Sequence, residues 1–314
     1  MATLSEIQVK QNNNTFLDML ESSAFNKQAA DDASDYIRLK LREEGFARKI
    51  IEPTEVSSQD LDEQVWTDKP VKIYQKETDI QPAISVGYSA QPINFYIRPS
   101  KFAVTPTTIL SPRINKNKWE LRTYKYDVRQ VFADNIVKDM QGVEDRAMLN
   151  AVNTALVGRG SNMPGSGVPQ YVAVAGGFSR SSVATACTQV LQKTPYNIPV
   201  ETVLINNITY AEHLKWQRDE FGGDGAEKNL TQGWKASNLL GLNWLVTIKR
   251  GLVPDYTQYM FGPTKFLGKT CLFTPPTMYV EVKNVQMYSF YCIEEIGSVL
   301  AHTGAFGRVD YLTS

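Results

Sequence analysis

A few short stretches of this sequence hold residues whose types and spacing could do chemistry. Gly262-Pro-Thr-Lys-Phe-Leu-Gly268-Lys269-Thr270 resembles in residue types a phosphate-binding loop, in which glycine N–H groups and a lysine hold phosphate ahead of a helix. Five residues separate its glycines, where such a loop has four. The residues that follow, Cys271-Leu-Phe-Thr-Pro275-Pro276, suit a strand and not a phosphate-holding helix. A turn into a strand is the expectation; a nucleotide-binding enzyme using Gly268-Lys269-Thr270 is the alternative. The glycine-rich run Gly158–Gly167 follows a helical pattern and precedes a strand, the reverse of a dinucleotide site, and reads as a connector.

Glu294 and Glu295, beside Cys292, suggest acid–base or thiol chemistry. Their flanks, Tyr288-Ser-Phe-Tyr-Cys-Ile293, read as a buried strand, and neighbouring carboxylates on a strand point to opposite faces. They cannot serve one bond together. His213 and His302 are the only histidines, and neither has a nucleophile or companion ligands at usable spacing. Cys187, Cys271 and Cys292 are too few for a disulfide framework and form no C-x-x-C pair. The expectation is therefore no catalytic residue, no metal site, no cofactor and no enzyme, in a reduced, cytosolic compartment.

Composition narrows the class further. Lys+Arg and Asp+Glu are each 33, and a balanced chain is a poor gripper of phosphate backbones. Hydrophobic residues make up 42% and charged residues 21% of 314 residues, as in a folded protein of roughly two domains. No apolar run reaches membrane-spanning length, and MATLSEIQVKQNNN is no secretory signal. Aromatic residues recur in the extended parts, as at Trp66, Tyr74, Tyr88, Tyr96 and Trp119. Stacking on nucleic acid is one use of them; a protein–protein interface is the preferred one.

The elements must then position these residues. Residues 1–30 are polar, with sparse apolar side chains such as Phe16, Leu20 and Phe25, too few to offset the entropy of ordering the segment alone. Residues 32–44 read as a helix ended by Gly45. Seven prolines between Pro53 and Pro112 exclude ordinary helices there, and alternating runs at 71–73, 84–88, 95–97 and 102–104 read as strands. Residues 62–98 form a long hairpin with its tip near 76–83, only marginally stable without a body to lie against. Residues 98–129 are locally basic, including Arg113 and Lys116. They read as a solvated connector or as a patch for an acidic partner surface.

Residues 127–157 carry the strongest helical signal. Val128, Phe132, Ile136 and Met140 step by four, and Val143, Ala147, Leu149, Val152 and Leu156 continue the stripe. Gly142 marks a bend or a close approach. Helices are expected at 180–193, capped by Ser179, and from Asn207 or Thr209 to about Arg218. Strands are expected at 203–205 and 244–248, and mostly strand from 260 to 312. Residues 219–228 read as a loop.

This order of a polar arm, a long hairpin, a long amphipathic helix and a mixed region ending in strands resembles the HK97-fold major capsid proteins of tailed bacteriophages. Gly142-Val-Glu-Asp-Arg-Ala-Met-Leu149 is similar to that family's spine helix, and Leu240-Gly-Leu-Asn-Trp-Leu-Val-Thr247 to the segment feeding its axial domain. The resemblance implies an α+β, HK97-like fold. Its N-terminal arm is residues 1–45 and its E-loop residues 62–98. The peripheral domain is 46–61, 99–172 and 276–300, with the spine helix at about 127–157. The axial domain is 173–275 and 301–314. It further implies hexamers and pentamers of an icosahedral shell enclosing double-stranded DNA without sequence-specific contact, and location in a virion capsid assembled in the host cytoplasm. Scaffolding, portal and decoration proteins are the implied partners, the scaffold being a separate protein, and no membrane is involved. Phe16, Leu20, Phe25, Trp66, Tyr74, Lys76, Tyr88, Arg113 and Lys116 are the candidate subunit-interface residues. An encapsulin-type compartment of the same fold, and a virion tail or connector protein, are the other structural readings.

Overall fold

The computed structural model describes residues 11–15, 18, 37, 45–64, 67–76, 85, 87, 100–123, 128–157, 170–189, 198–212, 241–284 and 286–312. In chain order these form α1 (Ala47–Ile50), β1 (Pro53–Glu55), β2 (Asp62–Gln64), β3 (Thr67–Lys76), β4 (Ser100–Val104), β5 (Thr107–Leu110), β6 (Ile114–Asn117), α2 (Lys118–Thr123), α3 (Val128–Val157), β7 (Tyr171–Ala175), α4 (Arg180–Gln189), β8 (Thr202–Asn206), α5 (Asn207–Ala211), β9 (Asn243–Thr247), β10 (Thr257–Phe261), α6 (Thr264–Leu267), β11 (Gly268–Asn284), β12 (Met287–Leu300) and β13 (Phe306–Leu312). The strands make three sheets. The first runs β1-β11-β12-β5, with β6 also on β12; the second runs β7-β13-β10-β8-β9; the third is β2-β3-β4.

The 30 residues of α3 span about 45 Å and join the two larger sheets. Its N-terminal half buries Phe132, Ala133, Ile136, Val137 and Met140 against Met278, Tyr288, Phe290 and Cys292 of the first sheet. Phe132 and Phe290 meet with ring centroids 5.0 Å apart, a favourable aromatic separation. Its C-terminal half buries Met148, Leu149, Val152 and Leu156 against Leu204, Tyr259 and Phe261 of the second sheet. The stripe deviates from simple periodicity in the middle. Val143 is 48% exposed and Ala147 also faces outward, while Glu144, Asp145 and Met148 are buried instead. Gly142 has open space where a Cβ would lie, so no close approach explains it.

In the second sheet the period of two puts apolar side chains on both faces. Leu204, Tyr259 and Phe261 meet α3, whereas Val203, Ile205, Met260, Val309 and Tyr311 face the opposite layer with Val183 and Ala186 of α4. Ser179 starts α4 as expected, its Oγ accepting from Ser182 N–H at 3.2 Å. The cap of α5 is Asn206, one residue ahead of the expected start, accepting from Ile208 N–H at 2.9 Å.

In the first sheet, β11 and β12 form a long antiparallel hairpin from Gly268↔Leu300 to Asn284↔Met287. Its register shifts between Leu272, Thr274 and Thr277, around Pro275 and Pro276, which have no N–H for a ladder. The basic region 98–129 is no mere connector: it contributes β4, β5, β6 and α2. Antiparallel pairing of β3 with β4, from Lys72↔Val104 to Lys76↔Ser100, joins the described residues on either side of the segment 77–99. The expected tip and the strands at 84–88 and 95–97 lie outside the described residues or touch them only at 85 and 87. The helix at 32–44 is described only at Ile37, helical and fully buried in the first core. Gly158–Gly167, residues 213–218 and residues 219–228 also lie outside them.

Candidate interaction surface

Where the two cores meet along α3, the apolar stripe is replaced by charge. Arg48 of α1 grips Glu144 with both prongs, Nε to Oε2 at 2.7 Å and Nη2 to Oε1 at 2.9 Å, and Nη2 also donates to Glu294 Oε1 of β12. Next to it, Asp145 accepts from Lys249 Nζ at 2.5 Å and from the N–H of Ala47 at 2.9 Å, which satisfies a donor that the first turn of α1 would otherwise leave unpaired. Four chain segments converge here: α1, α3, β12 and the turn after β9. Burial draws the Arg48 guanidinium down, but its bonds and charge contacts with Glu144 and Glu294 outweigh this and hold its pKa up. Burial raises the Asp145 carboxyl despite Lys249 and Ala47. Burial also pushes Glu294 up to about 8, helped by the Glu144 charge and opposed by Arg48.

The cluster has the architecture of a joint. Its charges face one another. A groove of about 300 Å³ beside it is lined by Ile51, Ile109, Val143, Met148, Ile296 and Leu300 among others, with Arg48 and Glu144 in its wall.

The surface that faces outward lies at the closed end of the β11–β12 hairpin. Trp119 is 61% exposed and Val282 52%, with Tyr279 and Met287 also open to solvent. β6 and α2 reach this end, where Asn117 pairs with Met287 and Lys118 N–H donates to Gln286 C=O at 2.9 Å, while Tyr279 and Val282 lie on opposite faces of β11. Tyr279 stacks on Tyr291 at 5.6 Å, and the Arg113 guanidinium lies 4.6 Å from the Tyr291 centroid while Nη1 donates to Glu281 at 3.0 Å. Lys116 Nζ is 3.8 Å from Glu120. Grouped apolar and aromatic side chains with a polar rim are the makings of a protein interface.

The other interface candidates fall differently. Tyr74 turns inward: its hydroxyl is 3.3 Å from Cys271 Sγ, its ring stacks on Phe102 at 5.7 Å, and burial together with Cys271 pushes it up to about 12. Lys76 ends β3, its backbone paired with Ser100. Phe16, Leu20, Phe25, Trp66 and Tyr88 lie outside the described residues. Trp119 was among the aromatics read as suited to a protein interface; Tyr279, Val282 and Met287 were not among the expected candidates, and an aromatic or apolar residue close to a predicted strand turn is the only signal they leave in the sequence.

The phosphate-loop reading fails on geometry. Only four helical residues, Thr264–Leu267, stand between the glycines, and Lys269 is already in β11, paired with Val299. Gly268 (φ 152°) is pressed against β12, with Val299 C=O 2.0 Å from where a Cβ would lie. His302 is buried, its Nδ1 accepting from Gly304 N–H at 3.0 Å; His213 lies outside the described residues. Cys271 and Cys292 are buried free thiols, and burial pushes Cys187 up to about 11, far from a reactive thiolate. Glu294 and Glu295 do point to opposite faces, Glu295 accepting from Thr274 Oγ1 at 2.7 Å. Among the described residues no group of three or more His, Cys, Asp or Glu is placed to hold a metal ion, and no helix is long and apolar enough to cross a membrane.

The sequence matches no protein-family model and no curated protein. The fold does have solved counterparts. The capsid of the cyanophage P-SCSP1u superposes with a TM-score of 0.56 at 13% identity, covering 83% of this chain and 87% of that one. The mature capsid of bacteriophage PhiM1 gives 0.54 at 10% identity, covering 86% and 88%. The capsid of the native GTA particle gives 0.51 at 14%, covering 85% and 89%. At these identities the likeness is one of fold, and it extends over most of both chains.

Proposed function

We propose, for a chain with the fold of phage capsid proteins, that it is the major capsid protein of a tailed phage, a shell subunit and not an enzyme. The observation that carries this is the coverage: the likeness to three capsid chains takes in 83–86% of this chain and 87–89% of those, not a shared fragment. In this reading α3 is the spine helix, the first sheet belongs to the peripheral domain and the second to the axial domain. The β3–β4 pair is the root of the E-loop, and residues 1–45 are the arm. In this reading sheet membership supports drawing the domain limits at β7, which pairs within the second sheet from Tyr171, and at β11, which pairs within the first from Gly268.

Copies meet head to tail, each presenting two different surfaces, and such contacts close into rings and shells when the rotation allows it. The open hairpin end with Trp119 and Met287 supplies one apolar surface for this. The chain's charge balance suits a container whose cargo must enter and leave, because a strongly basic lining would hold DNA through counterion release. The partners of this reading are sister copies in hexamers and pentamers, scaffolding and portal proteins, and enclosed double-stranded DNA.

Electron microscopy of the full chain, purified after expression alone and with the scaffolding protein of its source genome, tests this. Closed icosahedral particles are the expected result. Only rings or tubes would assign the chain to a tail or connector, and cargo enzyme in place of DNA inside particles from the native source would assign it to a cellular compartment.

A further inference from the structure

The joint between the two cores contains more acid than base. Three carboxyl groups, Glu144, Asp145 and Glu294, face two cations, Arg48 and Lys249. Lys249 and the Ala47 N–H are engaged by Asp145, and both Glu144 oxygens are engaged by Arg48. Glu294 Oε1 shares the Arg48 Nη2, but Glu294 Oε2 is buried with no partner for a bare carboxylate. Glu144, bound to the same Arg48 Nη2 as Glu294, is the like charge that acts on Glu294. Two ionised carboxylates cannot bond to each other, since each is an acceptor only and like charges at short range repel.

One proton removes both difficulties. On Glu294 Oε2 it turns the orphan acceptor into a donor to Glu144 and balances the charge of the cluster. Among the described residues, Arg48 is the cation paired with Glu294. The β5 partner of Glu294 is Ile109, the β11 register passes it by, and Glu295 of its own strand is held by Thr274 on the opposite face. We infer that Glu294 is a resident proton site of the folded chain, its Oε2 hydroxyl donating to Glu144, and that losing this proton loosens the joint of α1, α3 and β12. The elevated Glu294 carboxyl agrees with the geometry.

The sign follows from proton counting. Between the ordinary glutamate value of about 4.3 and about 8, the folded chain holds a proton that the unfolded chain has released. Stability from this group is complete below that window and is lost as pH rises through it.

Two measurements on the full chain test the inference. Denaturant unfolding of the wild type and Glu294→Gln across about pH 5 to 9 reads the linkage: this one proton makes the wild-type unfolding constant rise by up to about tenfold per pH unit relative to the variant, because an amide keeps a donor there at every pH. Parallel profiles for the two proteins would overturn the inference. Infrared spectroscopy of wild type labelled with carbon-13 glutamate needs no variant. A protonated glutamate carboxyl band that persists near neutral pH and disappears above about pH 9 is expected; its absence at neutral pH would also overturn the inference.

Discussion

Asp145 and Lys249 meet at 2.5 Å across 104 residues of sequence, and this contact fastens the turn after β9 to the middle of α3. Asp145 is fully buried, whereas the Lys249 side chain keeps 26% of its exposure. The two partners are therefore not equivalent. Lys249→Met strands an anion inside the protein and should cost about 3 kcal/mol in urea unfolding. Pairing it with Asp145→Asn should recover part of that loss, because the buried charge is then gone. A double-variant cycle that shows strict additivity would mean the contact carries no coupling.

Gly142 stands in the interior of α3 with nothing within 4 Å of a would-be Cβ. Alanine there removes backbone freedom from the unfolded chain without a clash. Gly142→Ala is expected to stabilise the protein by about 0.5–1 kcal/mol in chemical denaturation. A loss of stability would show that the helix needs flexibility at that point.

Gly268 and Lys269 are neighbours with opposite sensitivities. Gly268 adopts φ 152° with Val299 C=O 2.0 Å from a would-be Cβ, so Gly268→Ala should destabilise by at least about 2 kcal/mol. Lys269 is exposed, and Lys269→Ala should change stability by less than about 0.5 kcal/mol. Equilibrium dialysis with ATP should show no binding by either the wild type or the Lys269 variant; saturable binding lost in Lys269→Ala would revive the nucleotide reading.

Trp119 and Met287 are open to solvent and adjoin the same hairpin end. Trp119→Glu and Met287→Glu should each leave the thermal unfolding of the dissociated subunit within about 0.5 kcal/mol of wild type. Each should nevertheless reduce the yield of particles, since a charge at the centre of an apolar contact must be desolvated without a partner. Undiminished particle yield would place the subunit contact elsewhere.

Much of the frame was legible because it is local. The step of four from Phe132 to Met140 specifies one face of α3, and that face is the buried one. Ser179 announced α4 by its type and position. The short apolar run Val203-Leu204-Ile205 predicted a buried strand, and the two faces of that strand enter different cores. The centre of α3 was misread for the opposite reason. Val143 and Ala147 fit the stripe by type, but Glu144 and Asp145 take the interior, because Arg48 lies 96 residues away and Lys249 lies 104 away. No window along the chain contains such partners. Glu294, a further 150 residues on from Glu144, looked like half of an unused pair and is instead the third carboxyl of the joint. The interface candidates divide similarly. Arg113 was visible as charge in a basic run, whereas the exposure of Trp119 and Met287 depends on β6 lying along β12.

Assembly is the central claim, and mass is its most direct readout. Sedimentation velocity of the full chain, expressed with the scaffolding protein of its source genome, should give a discrete megadalton boundary, as a closed shell of sister copies requires. A single boundary at the 35.3 kDa of one chain, unchanged by concentration or by the scaffold, would contradict the account.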